Sequence, residues 1–348
     1  MDNKKLEEII AKNNIPRYRL AQIQKAIFSE GVDSFLKISN IPLDLRNLLN
    51  TQLKILPFEI QTILISKDKR AIKALLLLED KNLIETVLIS PKPNLWSVCV
   101  SSQVGCSLGC LFCATGKNGF KRDLSADEIT SQVLFWSQYI KNNLKFKNEN
   151  LKLDSIVFMG MGEPFLNWEN VRESISELTD PKLMGFGNRS ISVSTAGIPD
   201  KIESFFDEFP QANLAISLHF ANNQRRSQFM KVNRLYDLNK LKEVLQKYLI
   251  KNKRKIFIEY ILMDKINDTR QDALLLAKFL KEIGNIKLLH VNLIRYNSIG
   301  FGLNPSSRET TQKFKNTLEK EKISVTIRKS LGDDISGACG QLAGKTPK

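Results

Sequence analysis

The sequence predicts an α/β fold in which a partial (βα)6 barrel follows a small N-terminal α+β accessory domain. Two patterns support this prediction. Strand-like apolar runs alternate with helical stretches from about residue 100 to residue 327, which is typical of parallel βαβ units. Before them, helical spacing over residues 1–50 gives way to β-branched runs over 61–100. The chain has 348 residues, enough for a large core in one or two domains.

The accessory domain is predicted to begin with short helices. Pro16 suits the first turn of one of them, because a backbone N–H at that position would have no helical partner. Ile41-Pro42 marks a break before a helix over 43–49. Four strands follow, with a turn at 79–82 between two of them. They are predicted at 63–65, 74–78, 84–89 and 96–100.

The barrel is predicted to contain about six strand–helix units, counted from the strand that ends near Ser101. Its first helix begins at the capping box Ser125-Ala-Asp-Glu128 and runs to about Ile140, and the polar run 141–152 predicts a solvated loop. Such folds bind their ligands at the carboxyl ends of the strands. Later strands are predicted at 154–159, 190–195, 212–219, 255–262, 287–294 and 323–327, and helices near 168–178, 238–249, 270–281 and 310–319.

Composition and charge indicate a cytoplasmic protein with a polyanionic partner. No run approaches the ~20 apolar residues of a membrane span, and residues 1–5 do not begin a signal peptide, so we expect no membrane association. The net charge is +15, from 52 Lys and Arg against 37 Asp and Glu. This excess favours a nucleic acid, whose phosphates it would neutralise. The alternative is a basic surface that is only solvated.

Three cysteines, Cys106, Cys110 and Cys113, form a C-x3-C-x2-C triad on one loop. At this spacing each thiolate can bind one iron of a four-iron cubane cluster, which leaves the fourth iron without a protein ligand. The alternatives are three buried cysteines or a zinc site. Zinc sites usually add a second cysteine or histidine pair, and the chain's two histidines, His219 and His290, are remote from the triad. We therefore predict a [4Fe-4S] cluster.

Polar residues follow the predicted strands at their carboxyl ends, where a ligand is expected. Glycine among them lets the backbone approach a ligand closely, and the others offer hydrogen-bonding groups. The alternative for each is ordinary loop chemistry. For His219 a hydrogen bond to a ligand is favoured over a general acid or base role. These residues are Gly162, Glu163, Ser194, Ser217, His219 and Asn297.

The two remaining cysteines lie outside the triad. Cys339 stands in a glycine-rich segment near the C-terminus, an unusual place for a packing residue, so a reactive thiol is predicted. Cys99 lies on the apolar strand that leads into the triad loop. From its own surroundings, core packing is the favoured interpretation of Cys99.

Several segments taken together resemble a known family. The triad resembles the signature of radical S-adenosylmethionine (SAM) enzymes. The whole set resembles the bacterial dual-specificity 23S rRNA/tRNA adenine-C2 methyltransferases, over nearly the full chain. This resemblance implies an accessory RNA-binding domain at 1–90 and a partial (βα)6 radical SAM barrel at 91–345. The segments that carry it are 99–106, 112–116, 159–164, 217–219 and 332–342.

The resemblance also implies a mechanism. One SAM methylates Cys339, and a second is cleaved at the cluster to a radical that takes a hydrogen atom from the S-methyl group. The methylene radical then adds to carbon 2 of the adenine and joins enzyme to RNA. Cys99 attacks the sulfur of Cys339, which forms a disulfide and releases the methylated base. Glu85 matches a proton acceptor; on its apolar strand it is either a perturbed base or a solvent-facing carboxylate.

Further expectations come from the same resemblance. The partners would be 23S rRNA, tRNA and a reducing electron donor such as a flavodoxin, and the protein would be a monomer. Two alternatives remain open: an rRNA methyltransferase of the antibiotic-resistance type that acts on carbon 8 of adenine, and a non-catalytic iron–sulfur RNA-binding protein. The SAM contacts implied by the family are Gly162, Glu163, Ser194, Ser217, Leu218, His219 and Asn297.

Overall fold

The computed structural model describes residues 1–143, 152–300 and 302–344. Within those ranges the α-helices are α1 (Asn3–Lys12), α2 (Tyr18–Gln24), α3 (Leu43–Gln52), α4 (Ala114–Lys117), α5 (Ala126–Asn143), α6 (Trp168–Thr179), α7 (Pro199–Glu208), α8 (Asn223–Phe229), α9 (Leu238–Asn252), α10 (Arg270–Ile283) and α11 (Arg308–Lys320). The strands are β1 (Phe58–Ile65), β2 (Ala71–Leu78), β3 (Leu83–Lys92), β4 (Leu95–Cys99), β5 (Gln103–Gly105), β6 (Phe120–Asp123), β7 (Leu153–Phe158), β8 (Ile191–Thr195), β9 (Asn213–Ser217), β10 (Ile256–Leu262), β11 (Leu289–Arg295) and β12 (Ser324–Ile327).

One ten-stranded sheet organises the molecule, in the order β1-β2-β3-β4-β7-β8-β9-β10-β11-β12. From β4 to β12 all neighbouring strands are parallel. A helix separates each successive pair, namely α5, α6, α7, α9, α10 and α11, which makes six strand–helix units. The predicted partial (βα)6 barrel is therefore confirmed. Strands β1 to β3 extend the sheet beyond β4 as an antiparallel meander.

The two faces of the barrel strands have different chemistry, as β10 shows. Ile258 and Leu262 belong with Leu276 of α10 to the main apolar core, between the sheet and its helices. Glu259 lies on the opposite, inward face because side chains alternate along a strand. Its Oε1 accepts a hydrogen bond of 2.7 Å from the side-chain amide of Asn292 on β11. The interior of the barrel thus carries polar groups, as a ligand site requires.

The N-terminal helices have an apolar core of their own, which includes Leu6 and Leu49. This core docks on α5, whose Leu134 belongs to it. The amino group of Met1 forms a salt bridge of 2.5 Å with Asp127, also on α5. Strands β1 to β3 contribute to the main core instead. The sheet is continuous across residue 90, which lies within β3.

The structure differs from the predicted elements in a few places. All predicted strands are present, with β1 beginning earlier than expected, whereas the short hairpin β5–β6 and helices α4, α7 and α8 were not predicted. Pro16 precedes α2 instead of occupying its first turn, since Arg17 is the N-cap residue. Of the predicted loop 141–152, residues 141–143 end α5, and 144–151 lie outside the described residues. None of the helices described is long and apolar enough to cross a membrane.

Candidate active site

The cysteine triad lies on the loop enclosed by the hairpin β5–β6. Strand pairing of Gln103 with Asp123 and of Gly105 with Phe120 closes the base of this loop. The N–H of Cys106 donates to the carbonyl of Gly119 at 2.9 Å. The three triad cysteines are partly buried free thiols. A short hairpin therefore fixes both ends of the loop that carries the three cysteines.

Gly105 is required at the base of this loop. Its φ is +78°, and a Cβ placed there would lie 1.8 Å from the carbonyl oxygen of Gly119. Gly119 itself has a φ of +74° but no atom within 4 Å of its hypothetical Cβ. The two glycines share a left-handed backbone, and only Gly105 is also crowded. They form a matched pair for a test of the loop geometry.

We expect Gly105→Ala to destabilise the hairpin much more than Gly119→Ala. Both changes carry the cost of a left-handed alanine, about 1–2 kcal/mol, and Gly105→Ala adds about 1–3 kcal/mol for the steric overlap. Chemical denaturation of the two variants measures the difference, and iron content after reconstitution reports on the loop itself. Equal loss of stability in both variants would contradict the tight approach of Gly105 to Gly119.

The triad cysteines are partly buried thiols that bound iron would deprotonate, since thiolates are the ligands of an iron–sulfur cluster. Burial raises the pKa of Cys106 to about 12, and burial raises that of Cys110 well above its usual range. The charges of the other triad cysteines add to both effects. In the described ranges no three Cys, His, Asp or Glu side chains are arranged around a single ion. A cubane does not need such an arrangement, because each thiolate binds a different iron.

A buried cation lies beside the triad loop. The Arg226 side chain is fully buried and donates to the carbonyls of Ala196 and Leu218 and to the side-chain oxygen of Asn233. These partners are uncharged, and burial lowers the pKa of Arg226 to about 10. Its charge in turn opposes the rise in the pKa of Cys110. Arg226 thus joins the ends of β8 and β9 and favours a thiolate at Cys110.

Gly162 and Glu163 follow β7 at its carboxyl end, as predicted. Gly162 has a φ of +101°, and a Cβ there would lie 2.6 Å from the Cβ of Gln103. The two carboxylate oxygens of Glu163 accept hydrogen bonds from the backbone N–H of Phe165 at 3.1 Å and of Ala196 at 2.8 Å. Burial raises the pKa of Glu163, and the Ala196 N–H opposes this rise. The carboxylate is thus held rigidly where β7 and β8 end.

Ser194 and Ser217 are brought together at the ends of β8 and β9. Their hydroxyl oxygens lie 3.1 Å apart. Ser217 is the cross-strand partner of Glu259, and Glu259 is the partner of Asn292. Because directly paired residues in a parallel sheet share a face, these side chains form one inward polar layer. Leu218, the next residue, is fully buried, and its backbone N–H donates a hydrogen bond of 3.1 Å to the carbonyl of Glu259.

His219 is held as a neutral ring. Its Nδ1 accepts a hydrogen bond of 3.2 Å from the N–H of Ile261, and its ring packs edge-on against Phe112 of the triad loop, with centroids 5.0 Å apart. Burial and the charge of Arg226 lower the pKa of His219 to about 3. A ring that stays uncharged at neutral pH is unsuited to general acid chemistry. The favoured prediction, a hydrogen-bonding role, is consistent with this arrangement.

The glycine-rich segment with Cys339 lies across the open end of the barrel. The side-chain amide of Asn297 donates to the carbonyl of Cys339 at 3.0 Å. On the triad side, the N–H of Ala114 donates to the carbonyl of Gly340 at 2.8 Å, and the Thr115 hydroxyl donates to the carbonyl of Leu342 at 2.7 Å. The segment is therefore hydrogen-bonded to the triad loop on one side and to a predicted cofactor residue on the other.

The two cysteines outside the triad, Cys99 and Cys339, differ in location and exposure. Cys99 lies on β4 opposite Val87, and Val87 lies opposite Lys73, so all three point inward. Burial raises the pKa of Cys99, and the charge of Cys339 adds to this effect. Cys339 is exposed to solvent, although the protein around it raises its pKa as well. Both are free thiols, so the expected disulfide is not formed in this structure.

Glu85 does not face solvent. Its side chain is 3% exposed, and Oε1 forms a salt bridge of 2.7 Å with Lys73. Oε2 accepts hydrogen bonds from the backbone N–H of Ala343 and Gly344 at 2.5 and 2.9 Å. The carboxylate therefore touches the same segment that carries Cys339.

Sequence reasoning missed four residues of this site: Lys73, Arg226, Glu259 and Asn292. A signal existed for Lys73 and Glu259, since each is a single charge within an otherwise apolar strand. A charge at such a position is buried on the inward face or lies on the solvent side, and the sequence alone does not distinguish the two. Arg226 stands in the polar stretch 222–228, where nothing marks it as buried.

Comparison with known proteins places this arrangement in a family. The Radical SAM superfamily model matches residues 100–277. Ribosomal RNA large subunit methyltransferase Cfr of Clostridium botulinum (strain Okra / Type B1) is 39% identical over 342 residues, which cover 97% of this chain and 96% of that protein. A probable dual-specificity RNA methyltransferase RlmN of Chlorobium phaeobacteroides is 40% identical over 350 residues, with coverage of 99% and 94%.

A solved structure agrees over the whole chain. The crystal structure of a radical SAM methyltransferase from Sphaerobacter thermophilus is similar with a TM-score of 0.92 and 36% identity, and it covers 99% of this chain and 98% of its own. The superfamily implies a [4Fe-4S] cluster and SAM, and the triad fits the cluster as described above. The family match, the full-length relatives and the shared fold lead to one conclusion: this chain belongs to the Cfr/RlmN family of radical SAM RNA methyltransferases.

Proposed function

We propose that this enzyme methylates carbon 2 of an adenine in 23S rRNA and of an adenine in certain tRNAs. The observation that carries the proposal is the placement of Cys339, a free thiol bound through its backbone to Asn297 and flanked by contacts to the triad loop. A methyl carrier has to stand between the cofactor and the substrate. The names of the relatives, a large-subunit rRNA methyltransferase and a dual-specificity RNA methyltransferase, support RNA as the substrate.

The proposed roles follow the contacts of each residue. Cys106, Cys110 and Cys113 hold the cluster, which supplies the electron that cleaves SAM. Gly162, Glu163, Ser194, Ser217, Leu218, His219 and Asn297 form the SAM site at the ends of the barrel strands. Within this site Glu163 orients the amino group of SAM, and the hydroxyls of Ser194 and Ser217 bind other polar groups of the cofactor.

The remaining residues act on the methyl group and the base. Cys339 accepts a methyl group from one SAM, and a second SAM is consumed when that group is activated and joined to the adenine. Glu85 accepts the proton that leaves carbon 2. The radical adduct would return one electron to the oxidised cluster. The Cys99 thiolate then attacks the sulfur of Cys339, so that an S–S bond forms and the bond from sulfur to the new methyl carbon breaks; that carbon keeps the electron pair and takes up a proton. A reducing electron donor such as a flavodoxin supplies electrons, and a reductant restores both thiols.

RNA binding is proposed to involve both parts of the chain. Residues 1–90 would act as an accessory RNA-binding domain and 91–345 as the methyltransferase core, with the target adenine leaving its stack to reach the barrel. The net charge of +15 supports contact with phosphates. We further propose that the enzyme is a monomer and works in the cytoplasm.

A second candidate is methylation at carbon 8 of an rRNA adenine. The relatives named Cfr and RlmN match this chain to a similar degree, 39% and 40%, so the comparisons favour neither group. The two products have the same mass but separate by chromatography against synthetic 2-methyladenosine and 8-methyladenosine. The experiment is anaerobic reconstitution of the full chain, reduction, incubation with 23S rRNA or tRNA and SAM, and analysis of the nucleosides.

The expected product is 2-methyladenosine, accompanied by 5′-deoxyadenosine from SAM. Detection of 8-methyladenosine instead would overturn the proposed position of methylation while leaving the enzyme class intact. The absence of 5′-deoxyadenosine with a fully loaded cluster would favour the non-catalytic iron–sulfur protein.

A further inference from the structure

A buried ion pair lies on the inward face of β2 and β3. The Nζ of Lys73 and Oε1 of Glu85 are 2.7 Å apart, and the two side chains are only 6% and 3% exposed. Lys73 lies opposite Val87, and Glu85 lies opposite Leu75, so the pair is diagonal across the two strands. Two buried charges lose their hydration, and the loss is offset only where further hydrogen bonds satisfy both groups. The other partners of this pair are therefore informative.

The Cys339 segment supplies those partners. The Nζ of Lys73 donates to the carbonyl of Ser336 at 3.1 Å. Oε2 of Glu85 accepts from the N–H of Ala343 and of Gly344. Ser336 precedes Cys339 and the other two follow it, so the ion pair binds the segment on both sides of the thiol.

Close backbone packing supports the same attachment. A Cβ on Gly344 would lie 2.7 Å from the carbonyl oxygen of Leu83, and a Cβ on Gly332 would lie 2.8 Å from the Cβ of Ala71. The ends of the segment therefore lie directly on β2 and β3. The N–H of Lys67 also donates to Asp334 at 2.8 Å. Both flanks of Cys339 rest on the antiparallel meander, and the Cys339 carbonyl reaches across to Asn297.

We propose that Lys73 is a positioning residue: through its ion pair with Glu85 it clamps the Cys339 segment over the barrel. The effect of this clamp on catalysis rests on the proposed function of Cys339. The clamp itself rests only on the contacts described above. It also constrains Glu85, since both carboxylate oxygens are occupied while the clamp is closed. Release of the N–H groups of Ala343 and Gly344 frees the acceptor sites of Oε2 for a proton. Opening of the segment and availability of the base are thereby coupled.

Hydrogen exchange of the full-length protein tests the clamp directly. Amides protected by contacts exchange through local opening, so a weaker clamp raises exchange in the clamped segment alone. In Lys73→Met we expect exchange over 332–344 to rise about tenfold, with β7 and β8 unchanged. Lys54→Met is the matched control, because Lys54 forms an exposed ion pair with Glu79 and contacts no part of the segment. It should leave exchange over 332–344 as in the wild type.

A second readout follows the thiol. The rate of S-methylation of Cys339, measured by mass spectrometry of the protein after incubation with SAM, should fall about tenfold in Lys73→Met, in proportion to the weaker holding of the segment. Lys73→Arg retains a cation that can reach both Glu85 and Ser336 and should restore most of the rate. If the wild-type Cys339 is never methylated, the proposed function fails, while the exchange data still decide on the clamp.

Three outcomes would overturn the clamp. One is unchanged exchange over 332–344 in Lys73→Met; another is a rise spread equally over the whole sheet, which indicates general destabilisation. If Lys73→Met does not fold, the double variant Lys73→Met/Glu85→Gln replaces it, since removal of both charges leaves no unpaired buried ion. Its segment still lacks the donor to Ser336 and should exchange faster. The third outcome that would overturn the clamp is wild-type protection of 332–344 in the double variant.

Discussion

Cys339→Ala is expected to abolish methyl transfer to RNA while leaving the cluster loop intact. The Cys339 thiol is the exposed one among the five cysteines, and its backbone is tied to Asn297 and to the triad loop. If it carries the methyl group, we expect Cys99 not to replace it, because Cys99 lies on β4 in the barrel wall and not on this segment. Transfer of a labelled methyl group from SAM to rRNA measures the effect, and activity should fall to background.

A second variant serves as a control for the size of the side chain and for folding. Cys339→Ser keeps nearly the same volume and a hydroxyl, but a hydroxyl is a far weaker nucleophile than a thiol, so it should fail as well. Iron content, the thermal midpoint and hydrogen exchange over 332–344 should match the wild type in both variants. Substantial methylation of RNA by either one would remove Cys339 from the proposed mechanism, whatever the state of the cluster.

The barrel was predictable from the sequence because its strands and five of its six helices have strong local patterns; α7 is the exception. The strands of the main sheet carry long apolar or β-branched runs, and α5 begins with a capping box whose bonds are present, from the N–H of Glu128 to the hydroxyl of Ser125 and from the N–H of Ser125 back to Glu128. Hairpin β5–β6 has no such pattern. Its strands are very short, and Phe120-Lys-Arg-Asp123 is mostly polar, so only its pairing with the residues before the triad defines it.

The cysteines of the site were predictable, and their partners were not. Spacing alone marks the triad, because three thiolates on one loop have a specific chemistry. By contrast, the contact of Glu85 with Gly344 joins residues 259 positions apart. From its sequence neighbours Arg226 is expected to be a solvated helix residue, but in the fold it is buried and donates to the carbonyls that follow β8 and β9. Contacts of this kind depend on the tertiary fold, and one sequence without relatives has no local signal for them.

The same tertiary contacts change how the C-terminal segment is understood. Its glycines and polar residues suggest mobility, and the structure instead ties it down at several points. The side chain of Gln341 accepts from the N–H of Ala338 at 3.1 Å and donates to Asp333 at 2.6 Å, which braces the turn from within. These contacts hold the segment in one defined position over the barrel.

Cys99→Ala is expected to trap the enzyme on its RNA. If Cys99 resolves the adduct by attacking the sulfur of Cys339, its loss leaves the base joined to Cys339 with no internal nucleophile to release it. We expect an RNA–protein adduct that survives denaturing electrophoresis and accumulates to about one per enzyme, with release of methylated RNA close to zero. Labelled RNA incubated anaerobically with the reduced, reconstituted variant provides the measurement.

The double variant Cys99→Ala/Cys339→Ala is the matched control, since it lacks the sulfur to which the base would be attached and should form no adduct. A pH series adds an independent check in the wild type. Because burial raises the pKa of Cys99, its thiolate is scarce at neutral pH and becomes scarcer as pH falls, so the transient wild-type adduct should live longer at lower pH. Normal release of methylated RNA by Cys99→Ala would instead show that Cys99 only packs against β3 and that the resolving group lies elsewhere.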